Sequence, residues 1–186
     1  MRRLPVYLLL DTSGSMSGEP IEAVKNGVQI MISSLRQNPQ AIETAFLSVI
    51  TFDSTAQQII PLTDLASFQM VDIKATGVTA LGEALKLVAH KIDTEVQKTT
   101  SEQKGDWKPL VFIMTDGIPT DDWQSGLNEF KKSKVAFTVA CAAGSGADAN
   151  ILKQITDNVV SLDTADSASI GKFFQWVTAS IGVSST

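Results

Sequence analysis

Near its start the chain reads Leu4–Leu10, LPVYLLL, an unbroken apolar run that stops at Asp11. A short run without polar alternation predicts a β-strand buried on both faces, and such strands belong to parallel sheets covered by helices. The pattern recurs. Thr44–Phe52 (TAFLSVITF), Leu110–Thr115 (LVFIMT) and Val135–Ala142 read as further buried strands, with Gln57–Leu62 and Val159–Leu162 as shorter ones. Partial alternation and Pro61 put Gln57–Leu62 at a sheet edge.

Amphipathic stretches lie between these runs. After Pro20, the residues Ile21, Val24, Val28, Met31 and Leu35 form one stripe of a helix that Gln37-Asn38-Pro39 ends. Leu81, Leu85, Val88, Ile92 and Val96 make a second stripe. Thr120-Asp121-Asp122 starts a helix with Leu127 and Phe130 inside, and Asp148–Ile155 forms a short one. Ser167 caps a last helix carrying Ile170, Phe173, Phe174, Val177 and Ile181. Thr63–Ala75 reads as loop with at most a short helix, and Thr99–Lys108 as loop. Strands alternating with helices over all 186 residues predict a single α/β domain, three-layered and doubly wound, with a mostly parallel sheet. A chain of this length buries roughly 70% of its unfolded surface and needs no disulfide.

Composition narrows the function. Fifteen basic against twenty acidic residues leave a net charge of -5, which argues against nucleic acid and anionic membranes as general partners. One Cys, Cys141, and one His, His90, cannot supply a four-ligand zinc site. The longest stretch free of charge and His, Phe173–Thr186, is too short and too polar to span a bilayer. Met1-Arg2-Arg3 leads into a strand with no cleavage-site pattern, so a cytoplasmic location is expected.

In open sheets of this kind ligands sit beyond the carboxyl ends of the strands. The first strand runs into Asp11-Thr12-Ser13-Gly14-Ser15, and Leu110–Thr115 runs into Asp116-Gly117. Thr79 stands just before a helix. Asp11, Ser13, Ser15, Thr79 and Asp116 thus offer five oxygen donors and no nitrogen or sulfur. That set suits a hard divalent cation, Mg2+ above all, with Mn2+ or Ca2+ as alternatives. Two carboxylates neutralise a 2+ ion at most, and magnesium keeps waters. A carboxylate from a partner protein is the natural group to replace one. Taken alone, Asp-x-Ser-x-Ser reads more readily as a turn; its place after a buried strand, with Asp116 and Thr79, turns it into a site.

These residues resemble the metal-ion-dependent adhesion site (MIDAS) of von Willebrand factor A (vWA) domains, Asp-x-Ser-x-Ser with a distant Thr and a distant Asp, in the same order. The resemblance implies a Rossmann-like six-stranded sheet of order 3-2-1-4-5-6, with strand 3 antiparallel. It also implies direct ion contacts from Ser13 and Ser15, and contacts from Thr79 and one Asp that exchange with water. YLLLDTSGSM, TGVTALGEAL and IMTDGIPTDDW further resemble bacterial TerY-type domains associated with tellurium resistance. That implies a non-enzymatic stress-response protein with kinase and phosphatase partners. TerY-type proteins can carry a Cys-rich zinc-binding tail, which this sequence lacks.

The competing reading is a Mg-dependent aspartyl-phosphate (HAD-like) phosphatase, which also places Asp after its first strand. It needs a second Asp two residues on as general acid, and Ser13 stands there. Met16 occupies the centre where a serine-hydrolase elbow needs Ser. Glu83-Ala84 replaces the Lys-Ser/Thr of a P-loop after Gly77–Gly82. Cys141, Trp107 and Trp176 read as packing residues. Trp123 reads either as packing or as a contact anchor beside the ion. Asp121 and Asp122 read as helix-start acids and Asp53 as a turn residue, reaching an ion at most through its waters.

Overall fold

The computed structural model describes residues 2–185; Met1 and Thr186, which end two of the stretches named above, lie outside them. Six strands, β1 (Leu4–Asp11), β2 (Ala45–Phe52), β3 (Ala56–Asp64), β4 (Leu110–Thr115), β5 (Phe137–Ala143) and β6 (Asn158–Leu162), form one sheet in the order β3-β2-β1-β4-β5-β6. Every neighbouring pair is parallel except β2 and β3, so the edge strand is the antiparallel one, as expected. All eight residues of β1 are buried, which is why its sequence shows no alternation.

Two layers of helices cover the sheet. α1 (Glu19–Arg36), α2 (Pro39–Thr44) and α6 (Ser167–Ser184) pack with Leu4, Val6, Leu8 and Leu10 on one face. α3 (Leu81–Glu95), α4 (Trp123–Phe130) and α5 (Ala149–Ile155) pack with Tyr7 and Leu9 on the other. Each fully buried Leu, Val or Ile contributes about 1.5–3 kcal/mol, so the side chains of β1 alone fix both layers to the central strand. The helix stripes read from the sequence are the buried ones, except that Val96 falls one residue past α3 and is half-buried.

Several details differ from the sequence reading. Pro39 does not simply end α1: it opens α2, with the Asn38 side chain accepting from the Gln40 and Ala41 amides. Proline suits a first helical position because its missing N–H is not needed there. No helix forms among residues 63–75; instead Leu65, Phe68 and Ile73 insert into the core from irregular backbone. The last helix is capped by Asp166, whose carboxylate accepts from Ser169 N, and not by Ser167. Trp107 and Trp176, 48% and 44% exposed, pack at the surface, Trp176 against the Phe112 and Phe173 rings and Trp107 under the Arg2 guanidinium. Trp123 is a packing residue, partly buried against the α3–α4 layer.

Cys141 lies in β5 with no exposed surface, and burial pushes its thiol up to about 12. Because only the exposed thiolate reacts, the folded chain should react with Ellman's reagent at pH 8 roughly a hundredfold more slowly than the unfolded chain. Time courses with and without guanidinium check this; equal rates would mean that β5 is accessible. Among the described residues no helix is long and apolar enough to cross a membrane.

Candidate metal centre

β1 and β4 are adjacent and parallel, with Leu10 beside Met114. The chain leaves β1 toward one edge of the sheet and fills the other edge from β4 onward, so the crevice between their carboxyl ends is the switch point of the fold. Asp11 closes β1 and Asp116 follows β4, which puts both carboxylates in that crevice. A 3-10 turn, Gly14–Met16, follows Asp11, and the fully buried Met16 pins it to the core.

Hydrogen bonds tie four of the five candidate residues into one cluster. Asp11, 1% exposed, accepts from Ser13 N at 2.8 Å through Oδ1. Its Oδ2 accepts from Thr115 Oγ1 at 2.7 Å and from Asp116 N at 3.4 Å. Ser13 Oγ and Ser15 Oγ lie 3.1 Å apart, and Ser15 Oγ donates to Asp116 Oδ1 at 2.8 Å. Thr79 joins the cluster without a direct hydrogen bond to the other four. Its hydroxyl faces Gly117, where an added Cβ would come within 3.6 Å.

Backbone contacts hold the Thr79 segment in place. Thr76 N donates to Thr12 O at 2.8 Å, Gly14 N to Gly77 O at 3.0 Å, and Thr120 N to Thr79 O at 2.8 Å. Gly77 has φ +74, and a Cβ there would meet Ser54 Oγ at 2.3 Å, so this turn needs glycine on both counts.

Three contributors escape a sequence reading. Thr115 holds Asp11 through its hydroxyl, and Thr120 Oγ1 accepts from Thr79 N at 3.0 Å. Asp121 accepts from Gly82 N and Glu83 N at 2.9 and 2.8 Å, so it caps α3 from across the loop while Asp122 alone caps α4. A carboxylate two residues before its own helix carries no sign in one dimension that it serves another. Asp53 accepts from Thr12 Oγ1 at 3.1 Å and braces the β1 loop from behind.

The cluster is negatively charged and uncompensated: among the described residues no Lys, Arg or His pairs with Asp11 or Asp116. Burial, and with it the charge of Asp11, pushes the Asp116 carboxyl above the usual aspartate range, against the Ser15 hydrogen bond that pulls it down. A raised carboxyl binds its proton more tightly folded than unfolded, so ionising it costs stability as pH rises through the carboxylate range. Asp116→Asn should therefore melt higher than wild type at pH 7 in EDTA. That gain should shrink as pH falls below the aspartate range, where both proteins carry no charge at this position. Melting curves of the two proteins between acid and neutral pH check the sign.

The donor set fits a hard divalent cation. Neighbouring oxygens of an octahedral shell with bonds of about 2.1 Å lie about 3.0 Å apart, and the Ser13–Ser15 and Ser15–Asp116 separations are 3.1 and 2.8 Å. Among the described residues no three His, Cys, Asp or Glu side chains gather around a common point, so no richer cage competes. The phosphatase reading is not favoured, because both oxygens of the buried Asp11 are held by neighbours and Ser13 offers no acid.

The sheet order defines a doubly wound α/β domain with an oxygen-lined switch point. The chain belongs to the von Willebrand factor type A domain family, which matches residues 6–176. It is 33% identical over 123 residues to an uncharacterized protein of Synechocystis, covering 62% of this chain and 26% of that one. It is 30% identical over 149 residues to a von Willebrand factor A domain-containing protein of Dictyostelium discoideum, covering 77% and 15%. The chain thus spans about a quarter or less of these relatives.

Solved structures share the fold at low identity. The pilus adhesin SpaC of Lactobacillus rhamnosus GG superposes with TM-score 0.77 at 16% identity, covering 98% of this chain and 31% of that one. A von Willebrand factor type A protein from Catenulispora acidiphila gives 0.72 at 18%, covering 97% and 43%. Proximal thread matrix protein 1 of the mussel byssus, solved with a zinc-occupied MIDAS motif, gives 0.70 at 20%, covering 99% and 46%. The vWA fold is one often used for metal-dependent protein–protein interaction.

Proposed function

We propose that this chain is a non-enzymatic, metal-dependent interaction module in which Asp11, Ser13, Ser15, Thr79 and Asp116 hold a divalent cation, magnesium first among the candidates. The observation that carries this is the run of hydroxyl and carboxylate oxygens at 2.8–3.1 Å around two carboxylates that no cation among the described residues balances. The zinc in the byssus protein's MIDAS supports a divalent ion at the same place in the fold.

A bound divalent cation supplies an electrophilic coordination position suited to a carboxylate oxygen from a partner protein. The chain's own residues set up that position. Ser13 and Ser15 are presented side by side by the 3-10 turn, Asp11 is oriented by Thr115 and Ser13 N, and Thr79 is fixed by Thr120. Ile118 and Val78, 59% and 52% exposed, flank Asp116 and Thr79 in sequence and offer apolar surface beside the incoming acid.

The resemblance of YLLLDTSGSM, TGVTALGEAL and IMTDGIPTDDW to TerY-type domains supports a cytoplasmic bacterial stress-response complex, linked to tellurium resistance, with kinase and phosphatase partners. The test is capture on immobilised chain from a bacterial lysate, read against purified candidate kinase and phosphatase. Retention in magnesium, loss in EDTA and loss in Asp11→Ala are expected. Magnesium-dependent hydrolysis of a generic aryl phosphate that vanishes in Asp11→Asn would overturn the proposal in favour of an enzyme.

A further inference from the structure

α3 and α4 touch backbone to backbone near their amino ends, at Gly82 and Gly126. Toward their carboxyl ends a groove of about 1490 Å³ opens between them. Leu4, Leu110 and Phe137, the first residues of β1, β4 and β5, line it, so it lies at the opposite end of the sheet from Asp11 and Asp116. Its volume exceeds the roughly 300–1,000 Å³ of small-molecule sites.

The groove is apolar within and cationic around. Ile92, Val96, Pro109, Leu110 and Phe137 contribute buried or half-buried apolar surface, and Trp107 stands 48% exposed beside them. The cations are Arg2, Lys86, Lys98, Lys108, Lys132 and Lys134, with three carboxylates among them, Asp93, Asp106 and Glu129.

Those carboxylates are already engaged. Asp106, its side chain 2% exposed, is held by Arg3 at 2.7 Å. Asp93 meets Lys98 and Glu129 meets Lys132, each at 3.5 Å. Lys86, Lys108 and Lys134 have no ion-pair partner among the described residues. Arg2 lies over the Trp107 ring at 3.7 Å and, among the described residues, its side chain donates to the Gly105 and Asp106 backbone carbonyls. On a chain of net charge -5, this is a local surplus of positive charge.

From this charge pattern we propose that the groove docks an acidic, amphipathic peptide segment of a partner protein. Its apolar residues lie against Trp107, Val96 and Phe137, and its carboxylates meet Lys86, Lys108 and Lys134. Complementary potentials of this kind set specificity and association rate. Nucleic acid fits less well, because it would leave the apolar interior uncovered and meet the acidic remainder of the molecule. The site is independent of the metal centre, so its test is too.

A short fluorescein-labelled peptide alternating Glu with Leu and Phe, its Gln-for-Glu counterpart and a single-stranded DNA oligonucleotide serve as probes. Polarisation gives affinity, and the Trp107 indole N–H signal of 15N-labelled protein reports location. The acidic peptide should bind more tightly than the Gln peptide and shift the Trp107 signal. Binding should weaken with salt and fall roughly tenfold in Lys86→Glu/Lys134→Glu. Magnesium, EDTA and Asp11→Ala should leave it unchanged. Lys86 and Lys134 are exposed, so folding of the variant is checked simply by its melting curve. Equal binding of the two peptides, preference for the oligonucleotide, or a concentration-dependent dimer that the double variant abolishes would each overturn the proposal.

Discussion

Asp11→Ala should abolish the rise in melting temperature that magnesium is expected to produce in the wild-type chain. The expected wild-type rise follows from linkage: an ion at a hundredfold its Kd adds about 2.7 kcal/mol. For a domain of this size each kcal/mol moves Tm by about 2–4 °C. The variant loses one of two charges and the carboxylate through which Thr115, Ser13 N and Asp116 N are brought together. With one carboxylate left among neutral hydroxyls, the remaining set should hold the reluctantly dehydrated magnesium ion far more weakly.

The metal-free variant should also melt below wild type. Removing the acceptor strands the buried Thr115 hydroxyl and the Ser13 amide, at about 1–3 kcal/mol, and relief of repulsion with Asp116 offsets only part of this. Asp11→Asn keeps an acceptor in place while removing the charge. It should therefore lose the magnesium response with a smaller drop in metal-free Tm. Differential scanning fluorimetry of the three proteins, with and without magnesium, separates the two effects. A full magnesium shift in either variant would place the ion elsewhere.

Gly126→Ala is the second large effect, and it tests packing instead of chemistry. A Cβ at Gly126 would stand 2.2 Å from Gly82 O and 2.7 Å from Gly82 Cα, and one at Gly82 would stand 2.7 Å from Asp122 O. The obstruction is backbone on both sides, so no rotamer change relieves it and the helices must part. Overpacking of this kind costs about 3 kcal/mol, or about 6–12 °C in Tm. Gly27→Ala is a graded comparison, since its 2.4 Å conflict is with the Phe174 ring, a side chain with some room to shift. Gly171→Ala, in α6 with nothing within 4 Å, should instead stabilise by about 0.5–1 kcal/mol. Urea titrations of the three variants should give that order; equal effects would mean that α3 and α4 do not touch as described.

The fold was legible because its strongest signals are local. β1, β2 and β4 are buried on both faces, so LPVYLLL, TAFLSVITF and LVFIMT announce themselves without partners. The Pro61-bearing β3 fell at the edge for the same reason. What escaped depends on contacts distant in sequence. Phe68 and Ile73 are core residues in irregular backbone, with no period to reveal them. α2 was masked because Pro39 reads equally as the end of one helix and the start of the next. Trp107 reads as packing and does pack under Arg2, but its place in a groove wall depends on α3 and α4 residues far from it in sequence.

At the candidate centre, hydrogen bonds gather Asp11, Ser13, Ser15 and Asp116, four of the five residues singled out from strand ends and loop spacing, and Thr79 Oγ1 lies toward Gly117 beside them. Its supports could not be picked. Thr115, Thr120 and Asp121 act across separations of 104, 41 and 39 residues; Thr120-Asp121 reads as a helix start, but nothing beside it shows that Asp121 serves α3 or Thr120 the Thr79 amide.

The most direct measurement is the anomalous signal of manganese in crystals of this chain grown with a millimolar manganese salt. A single peak should appear within about 2.2 Å of Ser13 Oγ and Ser15 Oγ, with Asp11, Thr79 and Asp116 around it directly or through water, and it should be absent from Asp11→Ala crystals. No peak between these five side chains, or a peak held by other residues, would contradict the account.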